Sequence, residues 1–506
     1  MRVLICSNAY PPYFLGGAEL VAHAQAKALS RMGHEVRVFA GQLTSSRPRH
    51  DRADDVYEDV RVHRIAALPK DYNQAFLNFY HPAIDCHFNT IVQEFKPEIV
   101  HCHNLMGLSV NIPILAKRQG AKTICTLHDF WGFCLRNTAA RPDGRSCDDR
   151  TQCRSCLPRI HDGTKRNVPI RFRKDFISFA LEHVDQFIAP SRYLAARHVW
   201  AGFPADRLTV IPNGVDLERF HPALAVPDHE NVRITYAGHF GAHKGVSTLL
   251  DALARIIPDM PSAMLQLAGE GPEYENYLAR IEALGLHKHV QFLGKVNPSE
   301  MPDIYARSDI VVLPSVWDEN QPVCLMEAMA AGLPVVASRK GGIPELIEHG
   351  ENGLMFTAGD TFGLAAQLAK LIANSGLRQA AGCKGRQRVE ALSHDWQIRR
   401  YLEIYAKPTA APPASTRPRE FYAAVGSMRW KMAGEDRRLA DDMYPTRYFM
   451  PRKWLANNMP PSRGIILTGW LWSALHLLGV DAMFTLPLSW RRFSDAIRRH
   501  IAGLER

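Results

Sequence analysis

Apolar and polar positions fall in a repeating order along most of this chain: a short apolar run, a polar turn, then a stretch with helical spacing. Arg2–Cys6 is the first apolar run, and the loop after it ends in Gly16-Gly17. Beyond that turn Leu20, Val21, Ala24, Ala28 and Leu29 recur at intervals that place them on one face of a helix. Gly33 stands where a helix ends in a left-handed residue, and Glu35–Phe39 resumes as strand. Ile99–His103, Lys122–Leu127 and Gln186–Ala189 extend the series. Each run is too apolar for a sheet with one wet face, so the pattern predicts parallel strands covered by helices on both sides.

A second series starts near Leu208. Its expected strands are Val232–Ala237, Ala263–Ala268, Val290–Leu293, Ile310–Leu313 and Pro334–Ala337. Helical spacing falls between them at Val246–Ile257, Glu273–Leu284, Ser299–Ala306 and Val323–Ala331. Two successive series predict an α/β protein with two doubly wound domains, 1–190 and 191–394, and a helix at 395–406 that returns to the first. Ligands of such sheets bind beyond the carboxyl ends of the strands, so two facing domains put those loops around one cleft. The order breaks after Tyr405: residues 407–418, KPTAAPPASTRP, form a linker, and 419–506 read as a basic, then apolar, mostly helical extension.

Composition narrows the class. A chain of 506 residues with 46% hydrophobic and 22% charged residues builds large cores and is neither disordered nor fibrous. The opening MRVLICSNAYPP lacks the apolar run of a secretion leader, so a reducing cytoplasm is expected. There the 10 cysteines stand as thiols or metal ligands rather than disulfides. Net charge is +10, but residues 407–506 hold 16 Lys and Arg against 8 Asp and Glu, leaving only +2 for the rest. A nearly neutral body with a basic end argues against nucleic acid and for contact with an anionic surface. The apolar part of that end, Gly464–Trp490, is interrupted by His476 and Asp481. Flanked by Trp470, Trp472, Trp490, Arg491 and Arg492, it suits a segment lying on the inner face of the cell membrane, with packing on the body or a true span as the other readings.

Three turns have chemistry suited to an anion. The most specific lies in Leu313–Pro344, where a strand end leads past Glu319 into a helix that begins near Pro322 and carries Glu327. The segment Gln321-Pro322-Val323-Cys324 then forms a helix N-terminus, a natural seat for a diphosphate. The plainer reading makes the two glutamates a cap and a surface charge. Residues 238–245, GHFGAHKG, follow a buried strand and bring Lys244 to the cleft beside glycines. Gly341-Gly342 is a third strand–glycine–helix turn. Elsewhere Cys134, Cys147, Cys153 and Cys156 share one polar loop within 132–163; four thiolates there suit a closed structural zinc site, or stand as ordinary thiols.

Residues 1–406, about four fifths of the chain, resemble the retaining glycosyltransferases of family 4, with the two-domain GT-B fold. The resemblance rests on Glu319-x7-Glu327 within PSVWDENQPVCLMEAMAAGLPVVAS, together with GGAEL at 16–20, TLHDFW at 126–131, IPNGVD at 211–216 and GGIPELI at 341–347. It implies a hexosyltransferase that moves a sugar from a nucleotide diphosphate sugar to a hydroxyl of a glycan or lipid-linked acceptor. Glu319 would hold donor-sugar hydroxyls and Glu327 the nucleotide ribose. Lys244 and residues 321–324 would neutralise the departing diphosphate. Gly16 and Gly17 would close over the donor phosphates, and His128 would reach the transferred sugar near the reacting carbon. His103 reads as structural. The family usually has arginine where this chain has His239, and Asn320-Gln321 replaces a frequent glycine–aromatic pair. No Asp-x-Asp stands where a metal-bound diphosphate would need it, so metal-independent transfer is expected. The rival classes are a GT-B epimerase or hydrolase of nucleotide sugars and a non-catalytic sugar-nucleotide-binding scaffold.

Overall fold

A computed structural model of the protein describes residues 1–409, apart from 14–15, 74–80, 135, 142–144, 149–155, 157–159, 162–166, 169–176 and 223–229. The linker and extension expected at 407–506 thus lie outside the described residues beyond 409. Among the described residues no helix is long and apolar enough to cross a membrane.

The N-terminal lobe is an eight-stranded sheet. Its strands are β1 (Arg2–Ser7), β2 (Glu35–Leu43), β3 (Arg52–Tyr57), β4 (Val60–Ala67), β5 (Ile99–Cys102), β6 (Lys122–Thr126), β7 (Gln186–Ala189) and β8 (Leu208–Val210), in the spatial order β8-β7-β6-β5-β1-β2-β4-β3. All neighbours are parallel except the edge hairpin β3–β4. The central strands are buried along nearly their whole length, as apolar runs covered on both faces must be. The C-terminal lobe is a six-stranded parallel sheet of β9 (Val232–Ala237), β10 (Ala263–Ala268), β11 (Val290–Gly294), β12 (Ile310–Leu313), β13 (Val335–Ser338) and β14 (Leu354–Phe356), ordered β11-β10-β9-β12-β13-β14.

Both sheets reverse their winding beside their first strand, between β1 and β5 and between β9 and β12. At such a point adjacent loops leave in opposite directions and open a crevice. The loops after β1, β5, β9 and β12 therefore supply the site, and they contain Gly16-Gly17, His103, Lys244 and Glu319 respectively.

Four helices frame or brace this crevice: α1 (Gly17–Arg31), α2 (Arg192–Trp200), α3 (Val323–Ala330) and α4 (His394–Ala406). Helix α4 follows the C-terminal lobe in sequence, yet Ile398, Tyr401, Ile404 and Tyr405 bury against Val3, Val38, Ala22 and Ala26 of the first lobe. Lys122 seals its end by donating to the carbonyls of Ile404 at 2.5 Å and Tyr405 at 3.0 Å, a cation placed on helix C-terminal acceptors.

The domain boundary needs correction. The first sheet does not end at 190 but continues through α2 into β8, which pairs with β7. Three half-buried or exposed residues carry too little apolar signal to read as a strand, and Ser191, which caps α2, reads as the start of a new unit. The β3–β4 hairpin is likewise absent from the pattern of apolar runs, because Arg52–Tyr57 is an exposed polar edge strand.

Candidate active site

On the C-terminal wall Glu319 is the hub. Its Oε1 accepts from Lys244 Nζ at 2.7 Å, Trp317 Nε1 at 2.7 Å and Ser315 Oγ at 2.5 Å, with the residue only 7% exposed. Burial alone would push its carboxyl up. The charge of Lys244 and the hydrogen bonds from Lys244, Ser315 and Trp317 outweigh burial and hold it below the ordinary carboxylate value, so the carboxyl is ionised. Lys244 also lies 4.9 Å over the Trp317 ring, which confines the ammonium to this corner. Gly341-Gly342 closes the corner from a third loop: the Gly342 amide donates to the Glu319 carbonyl at 2.6 Å. Gly341 has φ +57, and a Cβ there would lie 2.0 Å from the same oxygen, so only glycine permits this approach. The three anion-suited turns of the sequence thus meet at one place.

Glu327 lies further along α3, and burial pushes its carboxyl up to about 7 against the lowering pull of Arg219 and the Tyr305 hydroxyl, 3.3 Å from Oε2. The two glutamates of one motif are thereby pushed apart: one is a held anion, the other a carboxyl at the edge of ionisation. Asn320 and Gln321 point outward from the loop as connectors. Asn320 Nδ2 donates to the carbonyl of His128 at 2.5 Å across the cleft, and Gln321 Oε1 accepts from the Asn213 amide at 2.6 Å. Pro322 caps α3, and a Cβ on Gly17 would sit 3.4 Å from the Val323 side chain, so the Gly16-Gly17 turn faces the start of this helix. The Gly16 amide is itself tied to Glu19 Oε2 at 2.8 Å. Burial pushes the Cys324 thiol up to about 12, so it is no nucleophile.

His239 follows β9, and burial, with help from Lys244, lowers it below the ordinary histidine value. It is mainly neutral at pH 7, where an arginine would have carried permanent charge. Arg339, another cation of the β13 loop, is exposed.

On the N-terminal wall His128 lies just past β6, neutral because burial lowers it to about 4. His103 is 2% exposed and bonds His128, Nδ1 to Nε2, at 2.8 Å. Beside them burial pushes Asp129 up to about 6, although its oxygens accept from the Trp131 amide at 2.7 Å and from Asn104 at 2.9 Å. The lobes are clasped at several points. Ser146 Oγ donates to Asp318 at 2.9 Å, Lys340 pairs with that carboxylate at 3.1 Å, and Glu345 accepts the Arg192 and Tyr193 amides at 2.8 and 2.7 Å.

Four residues of the site, Arg219, Tyr305, Asp129 and Glu19, have no signature of their own in the sequence. Asp129 sits inside the quoted motif TLHDFW and Arg219 just beyond IPNGVD, and proximity to those motifs is the available signal. Cys134 and Cys147 pack beside the first lobe's core. Together with Cys156 they make no three-ligand group among the described residues, and Cys153 lies outside those residues, so the expected zinc site is not described. The group that does form, His50, Asp71 and His81, has donor atoms within 4.8 Å, but Arg49 Nε already donates to Asp71 Oδ1 at 3.0 Å.

Two family models meet end to end on the chain: Glycosyltransferase Family 4 over residues 15–219 and Glycosyl transferases group 1 over residues 218–388. A glycogen synthase of Mycobacterium tuberculosis is 26% identical over 409 residues, spanning 78% of this chain and 92% of that protein. A GDP-mannose-dependent alpha-(1-6)-phosphatidylinositol monomannoside mannosyltransferase of the same organism is 26% identical over 408 residues, 77% of this chain and 94% of that protein. Among solved structures HepE of Anabaena in complex with UDP superposes with a TM-score of 0.59 at 20% identity, covering 80% of this chain and 99% of that one.

Proposed function

From the premise that the chain belongs to the glycosyltransferases of GT-B fold, we propose that it moves a hexose from a nucleotide diphosphate sugar to a hydroxyl of a glycan or lipid-linked glycan, with retention and without a catalytic metal. The observation that carries the reading is the corner where Lys244, Glu319 and the Gly341-Gly342 turn meet, facing His128 and Gly16-Gly17 across the cleft. A diphosphate entering there competes with Glu319 for Lys244. The freed carboxylate is left to bind sugar hydroxyls, and the first turn of α3 adds its dipole to the leaving charge. Glu327 takes the ribose, with Arg219 beside it.

The reaction passes through an oxocarbenium-like state as the diphosphate departs. The acceptor hydroxyl attacks from the face that the leaving group vacates, and a departing phosphate oxygen takes its proton. Lys244 stabilises the growing negative charge, the largest contribution expected of this site. UDP in the HepE structure and GDP-mannose in the mycobacterial relative's name make these the first nucleotides to try. The basic end of the chain would hold the enzyme on the cytoplasmic face of a membrane, beside a lipid-linked acceptor.

Nucleotide sugars that raise the melting temperature identify the donor, because a ligand that binds only the folded state stabilises it by mass action. Product analysis with that donor then decides. An acceptor-dependent glycoside of retained configuration supports the reading. Epimerised or hydrolysed donor without acceptor, or binding without turnover, rejects it. Removal of residues 419–506 is expected to lower membrane recovery while donor binding persists.

A further inference from the structure

Behind His128 the first lobe holds a line of buried polar groups that has no place in the proposed transfer chemistry. It starts at Tyr405 on α4, passes Gln25 on α1 and His101 on β5, and reaches His103 and His128. Gln25 is 1% exposed, and His101 and His103 are 0% and 2%. Gln25 Nε2 donates to the Tyr405 hydroxyl at 2.7 Å and lies 2.8 Å from His101 Nδ1. The same hydroxyl is 2.7 Å from His101 Nδ1, and His101 Nε2 is 2.7 Å from Thr126 Oγ1. On its other side Gln25 Oε1 is 2.7 Å from His103 Nε2, and His103 Nδ1 is 2.8 Å from His128 Nε2. The three imidazoles stack in sequence, with centroids 4.9 and 5.1 Å apart and planes 17° from parallel at each step.

The direction of every proton in this line follows from one amide. An amide oxygen only accepts, so His103 Nε2 must carry hydrogen. Burial keeps all three rings neutral: His101 is lowered to about 3, His128 to about 4 and His103 well below its ordinary value. A neutral ring with hydrogen on Nε2 has its lone pair on Nδ1, so His103 accepts from His128 Nε2–H. His128 is left with Nδ1 as an acceptor, the nitrogen that bonds nothing among the described residues. Turning the Gln25 amide over would reverse each bond and make Nδ1 of His128 a donor. The structure has the amide nitrogen on the Tyr405–His101 side and its oxygen on His103, and the tautomer of His128 is the observable that separates this orientation from its reverse. With the amide nitrogen facing it, Tyr405 accepts from Gln25 and donates to His101 Nδ1, while His101 Nε2–H donates to Thr126, so each group is satisfied once.

We infer that Gln25, held by Tyr405 and His101, is a positioning residue that fixes His128 in the Nε2–H tautomer, so that Nδ1 is offered to a hydroxyl of the donor sugar. The sugar contact rests on the proposed transferase reading; the tautomer does not. Tyr405 lies on the helix that runs back from the second lobe, so the seating of that helix and the state of the cleft histidine are linked through two side chains.

The test uses the full-length chain labelled with 15N-histidine, with the His128 signals identified by their loss in His128→Gln. Wild type is expected to show a protonated Nε2 and a bare Nδ1 at pH 7.5. Gln25→Leu and the milder Tyr405→Phe, which removes one hydroxyl, are expected to yield a mixture of His128 tautomers. With donor and acceptor in hand kcat falls about tenfold in Gln25→Leu, the size of one lost neutral hydrogen bond, and less in Tyr405→Phe, with donor KM little changed. A wild-type His128 protonated on Nδ1 overturns the inference, as does a wild-type nitrogen pattern in a folded Tyr405→Phe and Gln25→Leu pair, whatever their rates. If the tautomers shift as stated but no donor yields a glycoside, the transferase reading fails and the tautomer assignment stands.

Discussion

The two walls of the cleft are made of different electrical material. The C-terminal wall grips with full charges held in pairs, Lys244 with Glu319 and Lys340 with Asp318, set beside a neutral His239 and the raised Glu327 carboxyl. The N-terminal wall carries imidazoles stripped of charge, His101, His103 and His128 all lowered by burial, with the Asp129 carboxyl beside them raised to about 6 and still largely ionised at pH 7. A paired ion can trade its partner for an incoming anion at modest cost, because the charge is already desolvated and held in place. A neutral ring cannot neutralise a diphosphate, but it can orient a hydroxyl without attracting the leaving group. The wall that grips and the wall that positions are therefore separable by mutation.

The sharpest break is at the gripping wall. Lys244→Ala is expected to lower kcat/KM by about a hundredfold to a thousandfold, the range for losing one donor to a developing charge, measured as initial rate of glycoside formation. A fall below tenfold would remove Lys244 from that role. Glu319→Gln keeps the shape but frees Lys244 from its counter-charge, so sugar transfer should drop by about a hundredfold while free nucleotide diphosphate binds at least as well, which calorimetry reads directly.

Glu327 offers a pH test of intermediate size. Its folded value of about 7 lies above the unfolded one, so the native state holds the extra proton. Its stabilising contribution is complete below the unfolded value, near 4.5, and is lost as pH rises through about 7. Glu327→Gln should therefore gain on wild type in melting temperature between pH 5 and pH 8, by about 2–4 °C for each kcal/mol recovered. A constant difference across that range would mean that Glu327 is not the proton holder. The smallest effect is expected at His239. Replacing this neutral ring by arginine, His239→Arg, should lower donor KM by roughly threefold to tenfold, one added charge-assisted contact, with kcat little changed.

Much of this contrast is legible without any fold. The turn after β9, the loop before α3 and the Gly341-Gly342 turn each have a local signature of strand, glycine and helix start, and they do converge. Lys244, Glu319 and Glu327 are readable for the same reason. Gln25, Tyr405 and Arg219 are not. Gln25 is a polar residue on a helix and Tyr405 an aromatic in a distant one, separated by 380 positions and joined by a single 2.7 Å bond. Nothing in either neighbourhood announces the other.

What the sequence determined alone was the order of most strands and helices, the apolar faces that demand cover on both sides, and the glycines that allow backbone to approach backbone. Those are short-range properties, set by periodicity and by steric allowance at single residues. How far the first sheet extends past Ser191, which carboxylate keeps its proton and which nitrogen of His128 faces the cleft were decided only by tertiary structure. Each depends on how far a group is taken from water and on which partner the fold brings within hydrogen-bond reach, and neither is a property of the residue itself.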